Sequence, residues 1–107
     1  MRLFHFFPNT TDMNAGVAEY KTNDGAVLLD VRTAEEYNDG HIDGSVNIPL
    51  DKISSVENIV KDKSTPLYVH CLSGGRSGQA VSYLKQIGYT NVKNIGGISS
   101  YRGKVVK

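Results

Sequence analysis

Cys71 is the one cysteine of the chain, and it stands in the run Val69-His70-Cys71-Leu72-Ser73-Gly74-Gly75-Arg76-Ser77. A free thiol titrates at about 8.5, so only about 3% is ionised at neutral pH, but a helix N-terminus or a neighbouring cation lowers that value. The residues after Cys71 can supply both influences. Gly74 and Gly75 let the backbone curl until several N–H groups point at one centre. Arg76 adds a permanent charge with a planar fork suited to oxyanions. Ser77 can cap the helix that follows or donate its hydroxyl to the sulfur. The run therefore reads as a reactive thiolate in an anion cradle. A cysteine serving only as a small buried hydrophobe would gain nothing from a Gly-Gly-Arg-Ser sequel.

Other residues with chemical potential read as structural. His70 neighbours the cysteine, but strand alternation turns its side chain to the opposite face, so a packed, hydrogen-bonded histidine is expected rather than a base. Asp30 and Arg32 stand at a strand end. A salt-bridge and capping network fixing the next turn is expected of them in preference to contact with substrate. His41 has no second histidine at ligand spacing and reads as a core or turn residue. Phe4, Phe6 and Phe7 read as core or edge-strand packing.

These residues need a scaffold, and turn signals divide the chain at short intervals. Phe4–Phe7 is a candidate strand. Thr10 or Thr11 offers an N-cap for a helix over about 12–21, with Met13, Val17 and Tyr20 at helical spacing. Residues 26–31 form a continuous apolar run, which favours a strand buried on both faces, as in a parallel sheet. Thr33-Ala34-Glu35-Glu36 matches a capping box and starts a short helix ending near Gly40. Residues 46–48 form a second strand, and Ile53, Val56 and Val60 mark a helix over about 51–61. The third strand runs from Leu67 to His70. Ala80, Val81, Leu84 and Ile87 stripe the helix after the cysteine loop, and Gly88 stops it. Residues 92–95 form a last strand before Gly96-Gly97. Alternating strands and helices give an α/β domain with a mostly parallel sheet covered by helices on both faces, whose ligands bind beyond the carboxyl ends of the strands. Cys71 lies at such an end.

The 107 residues suit one domain spanning 1–107, and the formal net charge of +1 with interspersed acids and bases points away from nucleic-acid and membrane partners. A lone cysteine forms no internal disulfide and excludes multi-cysteine zinc sites. Pro8 and Asn9 end the first apolar run too early for a secretory signal, so a cytoplasmic protein of a reducing compartment is expected.

Two separated motifs resemble the rhodanese family of sulfurtransferases. One runs from Leu29-Asp30-Val31-Arg32 through Thr33-Ala34-Glu35-Glu36-Tyr37 to Gly40-His41-Ile42-Asp43-Gly44-Ser45-Val46-Asn47-Ile48-Pro49. The other is the Cys71 loop, with Gly96-Gly97 and Tyr101 following. Ser45 stands where alanine is frequent in the family and Tyr101 where tryptophan is frequent. The resemblance covers about 26–103 and implies a single-domain rhodanese-like fold. In it Cys71 would be the sulfur-carrying nucleophile, the amides of Leu72, Ser73, Gly74, Gly75, Arg76 and Ser77 would line the substrate pocket, and Arg76 would form its basic end. It further implies a small sulfur-donor anion such as thiosulfate, a cyanide or thiol acceptor, an eventual protein thiol partner such as thioredoxin, and no metal or organic cofactor.

Phosphatases share this fold, but their loop between cysteine and arginine is one residue longer. The four residues here, Leu72 to Gly75, form a smaller ring of amides, better matched to a sulfur atom than to a tetrahedral phosphate. No aspartate can be assigned as the general acid that loss of an alkoxide would need. Two readings other than a thiosulfate enzyme are a persulfide relay to a protein partner and a non-catalytic interaction module. The module is disfavoured because the cysteine and its loop are both intact.

Overall fold

The computed structural model describes residues 12–107. The candidate strand Phe4–Phe7 and the candidate caps Thr10 and Thr11 lie outside them. The elements in chain order are α1 (Met13–Lys21), β1 (Val27–Asp30), α2 (Ala34–Asp39), β2 (Val46–Asn47), a 3-10 segment (Leu50–Ser55) leading into α3 (Val56–Ile59), β3 (Leu67–Cys71), α4 (Gly75–Gln86), β4 (Val92–Gly97) and a 3-10 turn (Ile98–Ser100). The cap of α1 is Asp12, whose carboxylate accepts from the Ala15 amide at 3.3 Å.

The strands of the described residues pair in parallel, in the order β2-β1-β3-β4. β1 and β3 are the central strands, and every residue of β3 is buried, His70 included, as suits a strand covered on both faces. One face carries Leu29, Val31, Leu67, Val69, Cys71 and Val92, packed against Ile53, Val56, Ala80 and Leu84. The other carries Leu28, Tyr68 and Ile95, packed against Met13 and Val17 of α1. Helices thus cover both faces, and each fully buried Leu or Val contributes about 1.5–3 kcal/mol. No helix among the described residues is long and apolar enough to cross a membrane.

The expected helix over 51–61 is much shorter. Leu50–Ser55 is 3-10, with Lys52 outside helical geometry, and α3 is a single turn ending at Ile59. The Ser55 hydroxyl bonds back to the Lys52 carbonyl at 2.8 Å, and the β-branched Ile53, Val56 and Val60 disfavour a regular helix. Burial of Ile53, Val56 and Val60 produces the helical spacing without a helix of that length.

Two features place the cysteine. Ser77, Ala80 and Leu84 form the buried stripe of α4, so the packing that docks this helix also presses Ser77 against the end of β3. β4 carries one extra residue: Val69 pairs with Asn94, but His70 pairs with Gly96. The bulge at Ile95 leaves both Asn94 and Gly97 opposite residues of the cysteine face, Val69 and Cys71.

Candidate active site

β3 delivers Cys71 to the carboxyl edge of the sheet, and the chain turns into α4 through Leu72, Ser73 and Gly74. Gly74 adopts the left-handed region at φ +111°, which a side chain would disfavour. It is also the N-cap of α4, and no side chain caps the helix there. The sulfur takes that place: the Gly74 amide donates to Cys71 Sγ at 3.0 Å. A thiolate held by a free amide at the positive end of a twelve-residue helix is in a favourable field.

Ser77 lies in the first turn of α4, so it donates a hydroxyl rather than acting as the cap. Its Oγ is 3.4 Å from Sγ, 2.7 Å from Asn94 Oδ1 and 3.0 Å from the Gly74 carbonyl. The orientation of Asn94 follows from its partners. Oδ1 accepts from the Gly96 amide at 3.0 Å, and Nδ2 donates to the Gly74 carbonyl at 3.2 Å. Asn94 thereby ties β4 to both halves of the loop.

Burial pushes the Cys71 thiol up and is the largest single influence on it. The Ser77 hydroxyl and the amides of Ser77, Gly74 and Ser73 together outweigh burial and hold the thiol below its ordinary range. The amides that act on Sγ itself are thus those of Ser73, Gly74 and Ser77. Cys71 is only 1% exposed, beneath a rim on which Leu72 is 44% exposed. The floor of the loop is Gly97. A Cβ there would sit 2.5 Å from the Leu72 carbonyl carbon, and the Ser99 amide donates to the Leu72 carbonyl at 3.0 Å.

Arg76 does not turn its fork to the sulfur. Nη1 and Nη2 donate to Glu36 Oε1 and Oε2 at 2.7 and 3.0 Å. Glu36 is the same residue that closes the capping box of α2, accepting from the Thr33 amide at 2.9 Å. The Arg76 hydrogen bond is the main reason that the Glu36 carboxyl is held down to about 2. Arg76 is raised in turn, chiefly by the same bond.

Asp30 and Arg32 form a buried, multiply bonded pair. Arg32 Nη2 reaches Asp30 Oδ2 at 2.7 Å and the Gly40 carbonyl at 2.8 Å, and the Arg32 amide donates to Asp30 Oδ1 at 3.0 Å. This is the expected network fixing the turn into α2. His70 is buried, and that burial is the main influence pushing its imidazole below the usual histidine range. Its Nδ1 lies 3.2 Å from the Cys71 carbonyl, whereas Nε2 has no hydrogen-bond partner and stands 3.9 Å from Asp30 Oδ2, on the face away from the sulfur. This matches the expected packed, hydrogen-bonded histidine, bonded through one of its two ring nitrogens. His41 stacks on Tyr37 with ring centroids 3.8 Å apart, and its backbone bridges to Val106, as suits a turn residue.

The rhodanese-like domain family matches residues 14–104. The thiosulfate sulfurtransferase PspE of Escherichia coli is 39% identical over 80 residues, covering 74% of this chain and 77% of that protein. The adenylyltransferase and sulfurtransferase uba4 of Ogataea parapolymorpha is 35% identical over 88% of this chain, which spans 24% of that longer protein. Among solved structures, a rhodanese with anions from E. coli superposes with a TM-score of 0.72 at 37% identity, over 77% of this chain and 98% of that one.

Proposed function

The chain belongs to the rhodanese family, and from that premise we propose that it is a sulfurtransferase working through a persulfide on Cys71. The observation that carries the reading is the setting of one sulfur at the head of α4: the Gly74 amide donates to it at 3.0 Å, and the Ser77 hydroxyl stands 3.4 Å away. They favour the ionised thiol, which is the nucleophilic form.

The Cys71 thiolate attacks the outer sulfur of a donor such as thiosulfate. A sulfur–sulfur bond forms to Cys71, the donor's own sulfur–sulfur bond breaks, and sulfite leaves with the electron pair. The terminal persulfide sulfur, partly anionic, sits against Leu72, Ser73, Gly74, Gly75 and Ser77, with Arg76 at the loop's basic end. A thiophilic acceptor, cyanide or a thiol, then attacks that terminal sulfur and Cys71 leaves as the thiolate. Sulfur moves in two displacement steps, and ping-pong kinetics follow. The exposed Leu72 beside the sulfur offers a protein thiol partner an apolar foothold, which keeps a relay to another protein as the second reading. A loop whose donors close on Sγ itself leaves little room for a tetrahedral phosphate, and so supports sulfur over phosphoryl chemistry. A cytoplasmic site of action, where thiols stay reduced, suits this chemistry.

Intact mass after incubation with thiosulfate tests the reading. The wild type should gain one sulfur atom and Cys71→Ser none. An adduct on both proteins, or on neither, would refute the nucleophile. Turnover with cyanide, glutathione and reduced thioredoxin separates the enzyme from the relay.

A further inference from the structure

One carboxylate serves two helices at the edge of the site. Glu36 closes the capping box of α2, and the same oxygens take both Nη groups of Arg76 in the first turn of α4. The two side chains are 33% and 31% exposed, so the pair lies at the solvent-facing rim. Holding the fold together does not require it. A rim pair of this kind adds little stability, and the turn below is already fixed by the buried pair Asp30–Arg32. Its consequence is electrostatic. Arg76 is the cation nearest Cys71 in sequence, and its fork, the part that would grip an oxyanion, is filled. With its charge matched by Glu36, the pair is neutral, and the thiolate makes the mouth net negative. A dianionic donor therefore approaches against a charge that a monoanionic donor meets at half strength.

We propose that Glu36 is a positioning residue that sets donor charge: by holding the Arg76 fork it disfavours dianionic donors such as thiosulfate and favours sulfane donors of single or no negative charge. This rests on the sulfurtransferase reading above. An alkanethiosulfonate is the matching monoanion. Cys71 attacks its outer sulfur, the same type of bond breaks, and a sulfinate leaves with the electron pair in place of sulfite.

The test compares thiosulfate with methanethiosulfonate on the wild type and on Glu36→Gln. Glutamine is accepted at this position of a capping box, so the helix start is retained while the charge is lost. The ratio of kcat/KM for thiosulfate to that for methanethiosulfonate should rise roughly 3–10-fold in the variant, mainly through KM. The rise should shrink as salt is added, a dependence that a purely structural role would not produce. Glu36→Ala, which also loses the cap, should move the ratio the same way while lowering the melting temperature further. A ratio that stays constant or falls, with both donors still loading sulfur on Cys71, would overturn the proposal. Failure of both donors to load Cys71 in the wild type would instead overturn the reading beneath it.

Discussion

Gly97→Ala isolates the floor of the cysteine loop. The backbone at Gly97 is extended, φ −134° and ψ 143°, so alanine meets no conformational penalty there. Space is the obstacle. The added methyl would fall 2.5 Å from the Leu72 carbonyl carbon, where ordinary contact begins at 3.4 Å, so the loop must lift by about 1 Å. That lift strains the Ser99 to Leu72 bond at 3.0 Å and carries Gly74 away from the sulfur it holds at 3.0 Å. A misplacement of about 1 Å at a reacting group costs about 10²-fold in rate. Single-turnover sulfur loading of Cys71, followed by quench and intact mass, should slow by that order. Val92→Ala provides the contrast. It removes a buried side chain at the far end of the same strand and should cost about 1–2 kcal/mol of stability while leaving the loading rate near wild type. If Gly97→Ala loads at the wild-type rate, or Val92→Ala slows as much, the floor does not set the geometry of the loop.

Two further substitutions test the groups around the sulfur. Ser77→Ala removes the leading hydrogen bond that lowers the thiol, so the pH midpoint of Cys71 alkylation by iodoacetamide should move up. A bond to an ionised group is worth about 1.5 kcal/mol, so alkylation at a pH below the wild-type midpoint should slow about tenfold; an unchanged or lower midpoint would refute the role of Ser77. Arg32→Ala leaves the Asp30 carboxylate buried without its partner and should cost about 3–5 kcal/mol in denaturant unfolding. A loss below about 1 kcal/mol would mean that the turn into α2 is held by other groups.

What the sequence discloses and what it hides divide along chain distance. The cysteine, the left-handed glycine, the serine and the capping box of Thr33 and Glu36 are all readable, because each depends on groups a few residues apart. The sheet was readable too, since unbroken apolar runs separated by helical stripes admit few arrangements. The partners that complete the site are remote. Glu36 meets Arg76 across 40 residues and Asn94 meets Ser77 across 17. They meet because β1 and β3 are neighbours and because a bulge at Ile95 shifts β4. No local pattern encodes a bulge of that kind, and Asn94 carries no motif of its own. Gly96-Gly97 is visible as a signature, but its physical reason, a backbone passing too close for a side chain, exists only in three dimensions. The helix expected over 51–61 fails for the opposite reason: burial alone copies helical spacing.

The division of labour around the sulfur also differs from the sequence-based expectation. A cation beside a cysteine suggests that charge makes the thiolate. Here the groups against Sγ are neutral dipoles, an amide that donates and a hydroxyl at 3.4 Å, and the cation is matched by a carboxylate. Neutral donors can stay in place whether the sulfur is a thiolate, a persulfide or a thiolate again, because nothing in them must be neutralised when a charged donor leaves. A bare guanidinium would bind an anionic donor and its anionic leaving group alike, slowing release as it hastened capture. If Glu36 sets donor charge as proposed, the group that ionises the sulfur is separate from the group that senses the donor, and each can be changed without the other. On the proposed reading it is therefore the combination of Ser77 and Glu36, rather than Arg76 alone, that would give this loop its chemistry.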